Sequence, residues 1–138
     1  MKAQSRKGVI CTPDARATEA GMNILNAGGT AIDAATAAGA VLSVVCPHMT
    51  GLGGDALWLL SDGRRVDTIL GLGQSGHRLP DAGAIAMRGP ASAATTAGAL
   101  RGWSMAREWS SHRWDSTLDW PDLLEQATAL ARDGYGVS

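Results

Sequence analysis

The sequence predicts a layered α/β chain (α+β), with four helices, a short first strand and a β-hairpin. Three observations carry that expectation. Apolar residues recur at helical spacing in four stretches, near 15–26, 31–45, 98–109 and 120–132. Two short apolar runs, 56–60 and 65–70, flank Asp62-Gly63, and Asp-Gly between such runs is a strong short-range hairpin signal. Between the most apolar helix and the first strand lies Cys46-Pro47-His48-Met49-Thr50-Gly51-Leu52-Gly53-Gly54-Asp55, a glycine-rich corner. Glycine serves where backbone takes φ > 0 or passes close to another backbone or a ligand, so this corner is either a tight packing point or a site.

Taken in order, residues 8–11 read as a short strand that stops at Thr12-Pro13. Asp14 is placed to cap the first helix, because its carboxylate can accept from the free N–H groups of the first turn. Ala17, Ala20, Gly21, Ile24 and Leu25 form the apolar face of that helix, and Gly28 or Gly29 ends it in a left-handed conformation. Thr30 caps the second helix. Apolar on all sides, this helix is expected to be buried in a larger body, with Asp33 favourably placed in its first turn. Pro47 ends it. After the hairpin, residues 71–97 read as loop-rich, and a third helix spans about 98–109 with Leu100, Trp103 and Ala106 or Arg107 on related faces. A polar connection follows over 110–119. Trp120-Pro121 opens a last helix to about Arg132, with Pro where its missing N–H costs nothing and with Leu123, Leu124, Ala127, Leu130 and Ala131 as its apolar stripe.

Composition bounds the function. The 138 residues suffice for one core, but they contain no Phe, one Tyr and a large excess of Ala and Gly. Small side chains bury little area each, so this chain is expected to lean on further packed surface as a piece of something larger. A net charge of −1 gives no reason to expect nucleic acid as a partner. The most apolar window, 30–45, contains Asp33 and is shorter than the roughly 20 residues of a membrane span, so no membrane role is expected. No secretory pattern follows the basic start, which favours the cytoplasm. Cys11 and Cys46 lack CxxC spacing and are expected to be two buried free thiols, with neither a disulfide nor a metal site.

Two chemical motifs are weak. Gly71-Leu72-Gly73-Gln74-Ser75-Gly76 matches GxGxxG after a strand, but Pro80 and Gly83 leave no room for the helix that would aim its N–H groups at a pyrophosphate. No cofactor is therefore expected. His48, His77 and His112 show no paired metal-ligand or HExxH spacing, and no GxSxG elbow is present.

A third assembly is more specific. Glu19-Ala20-Gly21, Asn26-Ala27-Gly28-Gly29-Thr30-Ala31-Ile32-Asp33-Ala34-Ala35, Cys46-Pro47-His48 and Gly51-Leu52-Gly53-Gly54-Asp55 closely resemble the opening of the large subunit of the gamma-glutamyltranspeptidase family. Its members read approximately EAG, AGGNAxDAA, an alanine-rich helix, then EPHxSGxGG. The resemblance continues through Gly98-Ala99-Leu100-Arg101-Gly102-Trp103, similar to PGxxxGW, and through residues 120–138, similar to WxxLLxPAIxLAxxGFxVS. It implies that residues 1–138 are the N-terminal segment of a large subunit in an αββα N-terminal-nucleophile hydrolase. Such a precursor cuts itself in two, and the new N-terminal Thr of the small subunit attacks a gamma-glutamyl amide with its own α-amine as base. The implied partners are the rest of the large subunit, that Thr-bearing small subunit and a small-molecule acyl amide. The nucleophile lies outside this chain, so no residue here is expected to be catalytic; Thr95-Thr96 lacks the following His-like residue and comes too early. A scaffold of the same fold without chemistry is the alternative reading.

Two departures bear on substrate. Family transpeptidases carry an Arg after the second hairpin strand that pairs with the glutamyl α-carboxylate. Here Leu72 falls at about that place, and the displaced Arg78 is the candidate substrate-binding residue. Gly54-Asp55 replaces a run of glycines, as in the acylase-like branch. These changes admit an acyl or amide substrate other than glutathione.

Overall fold

Six elements follow one another along the chain: α1 (Ala15–Asn26), α2 (Ala31–Val45), β1 (Ala56–Ser61), β2 (Val66–Gly71), α3 (Ala99–Ser111) and α4 (Trp120–Asp133). They come from a computed structural model that describes residues 8–75, 77, 87, 92 and 95–136. The mixed helix and sheet content matches the expected class. Two units emerge, one formed by Met1–Gly51 with Arg107–Ser138 and the other by Leu52–Ala106.

The first unit is helical. Asp14 caps α1 as expected, its Oδ1 accepting from the Arg16 amide at 2.8 Å. The Arg16 guanidinium closes on the same carboxylate at 2.6 Å, and its side-chain hydrogen bond holds the Asp14 carboxyl down at about 2. Gly28, at φ +93°, takes the left-handed position that ends the helix. Thr30 then caps α2 within a reciprocal capping box: its hydroxyl accepts from the Asp33 amide, while the Asp33 carboxylate accepts from the Thr30 amide. α2 packs against both α1 and α4. Ile24, Ala34, Ala37 and Leu123 form the core there, with Ile10, Leu25 and Leu118 against it. Alanine on α2 makes room for the larger side chains of its neighbours. α4 begins in a second capping box, between Asp119 and Asp122, with Pro121 in its first turn. After α4, the Tyr135 hydroxyl donates to the Val44 carbonyl at 2.9 Å and Arg16 donates to the Gly136 carbonyl.

Several expectations are corrected. Residues 8–11 form no strand, because a strand needs a ladder partner and none of the described residues supplies one; Ile10 instead packs into the helical core. Neither thiol is fully buried: Cys11 lies in that irregular segment and is exposed, and Cys46 is half-buried as the C-cap of α2. The polar stretch after Trp109 is not all loop, since α3 continues through Ser110 and Ser111. Ser110 is buried because its hydroxyl donates to Thr30 Oγ1 at 3.1 Å. Leu100 is exposed, unlike Trp103 and Ala106, and the stripe of α4 narrows to buried Leu123 and Ala127 with Leu124 and Leu130 half-buried.

The second unit is built on the hairpin. β1 and β2 pair antiparallel from Ala56↔Gly71 to Ser61↔Val66, and are each other's only ladder partners among the described residues. Asp62 shapes the loop: its Oδ1 accepts from the Arg64 and Arg65 amides, and Gly63 takes φ +84°. Because strand side chains alternate, one face carries buried Leu60, Ile69 and Gly71. The opposite face carries Leu57, Leu59, Val66 and Leu70, exposed to 69, 75, 67 and 66 %. Leu57 and Leu70 are direct cross-strand partners on this face, which they share with Leu59, Val66, Ser61 and Thr68 and which has no cover among the described residues.

Candidate functional site

Three backbone segments converge beside the open end of the hairpin in the second unit: residues 52–55 before β1, residues 71–75 after β2, and residues 95–102 leading into α3. Their meeting is fixed by hydrogen bonds. The Gly54 carbonyl accepts from both the Gly98 and Ala99 amides at 2.9 Å. Asp55 Oδ1 accepts from the Gly73 amide at 3.0 Å. The Gln74 carbonyl accepts from the Thr96 amide at 3.0 Å, and Ser75 forms a bridge with Thr95.

Glycines make this approach possible. A Cβ on Gly73 would fall on the Thr96 carbonyl, and one on Gly98 would meet the Gly71 carbonyl. A Cβ on Gly71 would lie 2.8 Å from Gly102 Cα and 2.9 Å from the Ala56 carbonyl. The formal GxGxxG is thus explained by backbone packing: residues 72–74 are irregular and no helix begins there. Gly76 lies outside the described residues. The corner singled out at Gly51-Leu52-Gly53-Gly54 meets the expectation in part: Gly54 makes a close backbone approach through its carbonyl. Gly51 and Gly53 have open space around a notional Cβ and no positive φ, and the tight contacts belong to Gly71, Gly73, Gly98 and Gly102.

Arg78, the candidate substrate-binding residue, lies outside the described residues. Leu72 is described, and is half-exposed immediately beyond β2. His48, His77 and His112 are each exposed. His48 Nε2 lies 3.8 Å from Cys46 Sγ, and among the described residues no three His, Cys, Asp or Glu side chains gather closely enough to hold a metal ion. Thr96 donates its hydroxyl to the Gln74 carbonyl at 3.4 Å, so it serves the loop contact.

In the helical unit, a buried polar cluster went unread in the sequence. Asp33 is 2 % exposed and accepts from the Arg107 guanidinium at 3.2 Å as well as from Thr30. Burial alone would raise its carboxyl, but the Thr30 amide, the Ser116 and Thr30 hydroxyls and the Arg107 charge together hold it below the usual carboxylate range. Arg107 also donates to the Leu118 carbonyl at 2.7 Å and stacks on Trp120. Only the capping pattern Thr30…Asp33 announced this cluster; the partner 74 positions away had no sequence signal.

The family profile described as Gamma-glutamyltranspeptidase matches residues 17–138. The chain is 38% identical to the glutathione hydrolase-like YwrD proenzyme of Bacillus subtilis, over 96% of this chain and 26% of that protein. It is 36% identical to the oxamate amidohydrolase proenzyme of Klebsiella pneumoniae, over 97% of this chain and 26% of that protein. Among solved structures, the gamma-glutamyltranspeptidase of Helicobacter pylori superposes with a TM-score of 0.79 at 22% identity, covering all of this chain and 41% of that one. The chain therefore spans about a quarter of the length of these curated relatives.

Proposed function

The chain belongs to the gamma-glutamyltranspeptidase family, and on that premise we propose that residues 1–138 are the N-terminal segment of the large subunit of an amide-cleaving N-terminal-nucleophile hydrolase. One observation carries the reading: 96% of this chain aligns with only 26% of a relative described as a proenzyme. The apolar face of the hairpin, without a cover among the described residues, supports it, because a surface of this kind is stable when a further layer covers it. The chemistry then belongs to a Thr at the start of a small subunit. Its hydroxyl oxygen bonds to the amide carbonyl carbon, the C–N bond breaks, and the hydroxyl proton passes through the α-amine to the leaving amine. Water or a second amine then takes the acyl group.

This segment supplies scaffold and part of the substrate pocket, with Arg78 binding the acyl end. Leu72 offers no charge at the place where family transpeptidases hold a glutamyl α-carboxylate. The substrate is accordingly an acyl amide that need not be gamma-glutamyl, a reading favoured by similarity to a protein described as an oxamate amidohydrolase. Two measurements test the proposal. Intact mass of the natural protein is expected to show two chains, the second beginning at Thr. That protein is expected to hydrolyse at least one of a gamma-glutamyl anilide, a cephalosporin-type acyl amide and oxamate, whereas a single unprocessed chain inert toward all three would identify a non-catalytic scaffold. Arg78→Ala is expected to lower kcat/KM by about 10- to 100-fold, mainly through KM, which is the loss of one charged hydrogen bond of about 1.5–3 kcal/mol.

A further inference from the structure

Asp55 makes one hydrogen bond that reaches across the open end of the hairpin, to the amide of Gly73 eighteen residues later. The residues on either side of that bond are pinned as well. Gly54 receives two amides from the start of α3, and Gln74 and Ser75 are tied to Thr96 and Thr95. Gly73 itself fits against the Thr96 carbonyl only because it lacks a Cβ. The loop 72–75 is therefore clamped on one side by a carboxylate and on the other by backbone, with Leu72 half-exposed between β2 and the clamp.

We infer that Asp55 is a positioning residue for acyl selectivity: its carboxylate fixes loop 72–75, and with it the surface at Leu72 that meets the acyl end of the substrate. The inference rests on the amide-hydrolase reading above. Asp55 touches no reacting atom; it acts through the Gly73 amide. Asn keeps an oxygen acceptor of the same reach, whereas Ala keeps none.

The natural protein carrying Asp55→Ala and Asp55→Asn tests this in two independent ways. Amide hydrogen exchange at Gly73 is expected to accelerate about tenfold or more in Asp55→Ala and to stay near wild type in Asp55→Asn. The ratio of kcat/KM between two amides differing only by an α-carboxylate on the acyl group is expected to shift by about threefold or more in the Ala variant, through KM, and to be restored by Asn. Unchanged Gly73 exchange in Asp55→Ala overturns the clamp. Faster exchange with an unchanged ratio overturns its role in selectivity. If wild type cleaves none of the amides while the exchange results hold, the proposed activity fails, and selectivity with it, although the clamp stands.

Discussion

Asp33 shows how one side chain can stabilise two levels of structure, because it closes the capping box of α2 and pairs with Arg107 from a distant helix. Asp33→Ala leaves the Arg107 guanidinium, itself only 19% exposed, without its carboxylate and is expected to cost about 3 kcal/mol by urea denaturation. Asp33→Asn keeps a capping acceptor and is expected to cost less. The acid side of the stability profile follows from the direction of the shifts. Asp33 and Asp14 both hold their protons less readily folded than unfolded, so their contribution is present above the unfolded value and is lost as pH falls through the folded one. For Asp14 that window runs from 3.8 down to about 2. Thermal melts are expected to be flat with respect to these groups above about pH 5 and to fall below about pH 4, with part of that slope missing in Asp33→Asn. Glycine substitutions separate packing from open space: Gly73→Ala is expected to cost about 3 kcal/mol, whereas Gly53→Ala stays within about 0.5 kcal/mol in the same denaturation assay.

Among the elements, the hairpin has two faces with opposite sensitivities. Leu60→Ala or Ile69→Ala empties the buried face and is expected to cost about 2–4 kcal/mol. Leu57→Ser and Leu59→Ser in the 138-residue chain alone are expected to change stability by no more than about 0.5 kcal/mol while raising solubility. In the natural protein the same changes are expected to impair assembly, which size-exclusion chromatography and intact mass would report. Element positions were legible wherever a local signal existed: Asp14 and Thr30 as caps, Pro47 as a stop, Asp62-Gly63 as a loop, Pro121 in a first turn. What failed was non-local. Residues 8–11 have strand composition without a ladder partner among the described residues, and Ser110 looks like a loop residue until the distant hydroxyl of Thr30 is considered. At the glycine corner, only three-dimensional proximity tells that Gly54 meets the start of α3, and that Gly73 and Gly98, and not Gly51 and Gly53, are crowded.

At the scale of the whole molecule, small residues build two units whose own interiors contain few large side chains. Among the described residues, the four largest fully buried side chains are Leu123, Val41, Thr36 and Asp33, two of them polar. The expectation of dependence on additional packed surface came from composition, and the fold was legible further through the run of motifs from Glu19 to Trp120. Arg78, proposed as the acyl-binding residue, lies outside the described residues. Residues 1–138 prepared alone are expected to hydrolyse none of the three amides, and measurable turnover by that preparation would relocate the nucleophile to this chain. The hairpin has a further consequence. With β1 and β2 paired only to each other among the described residues, each leaves an outer edge there able to accept another strand. Completion of the sheet from within one polypeptide is a first-order event, while capture of a neighbouring molecule's edge is second-order. Yield on refolding should therefore decline as protein concentration rises, and dilution, rather than added denaturant, should be the remedy.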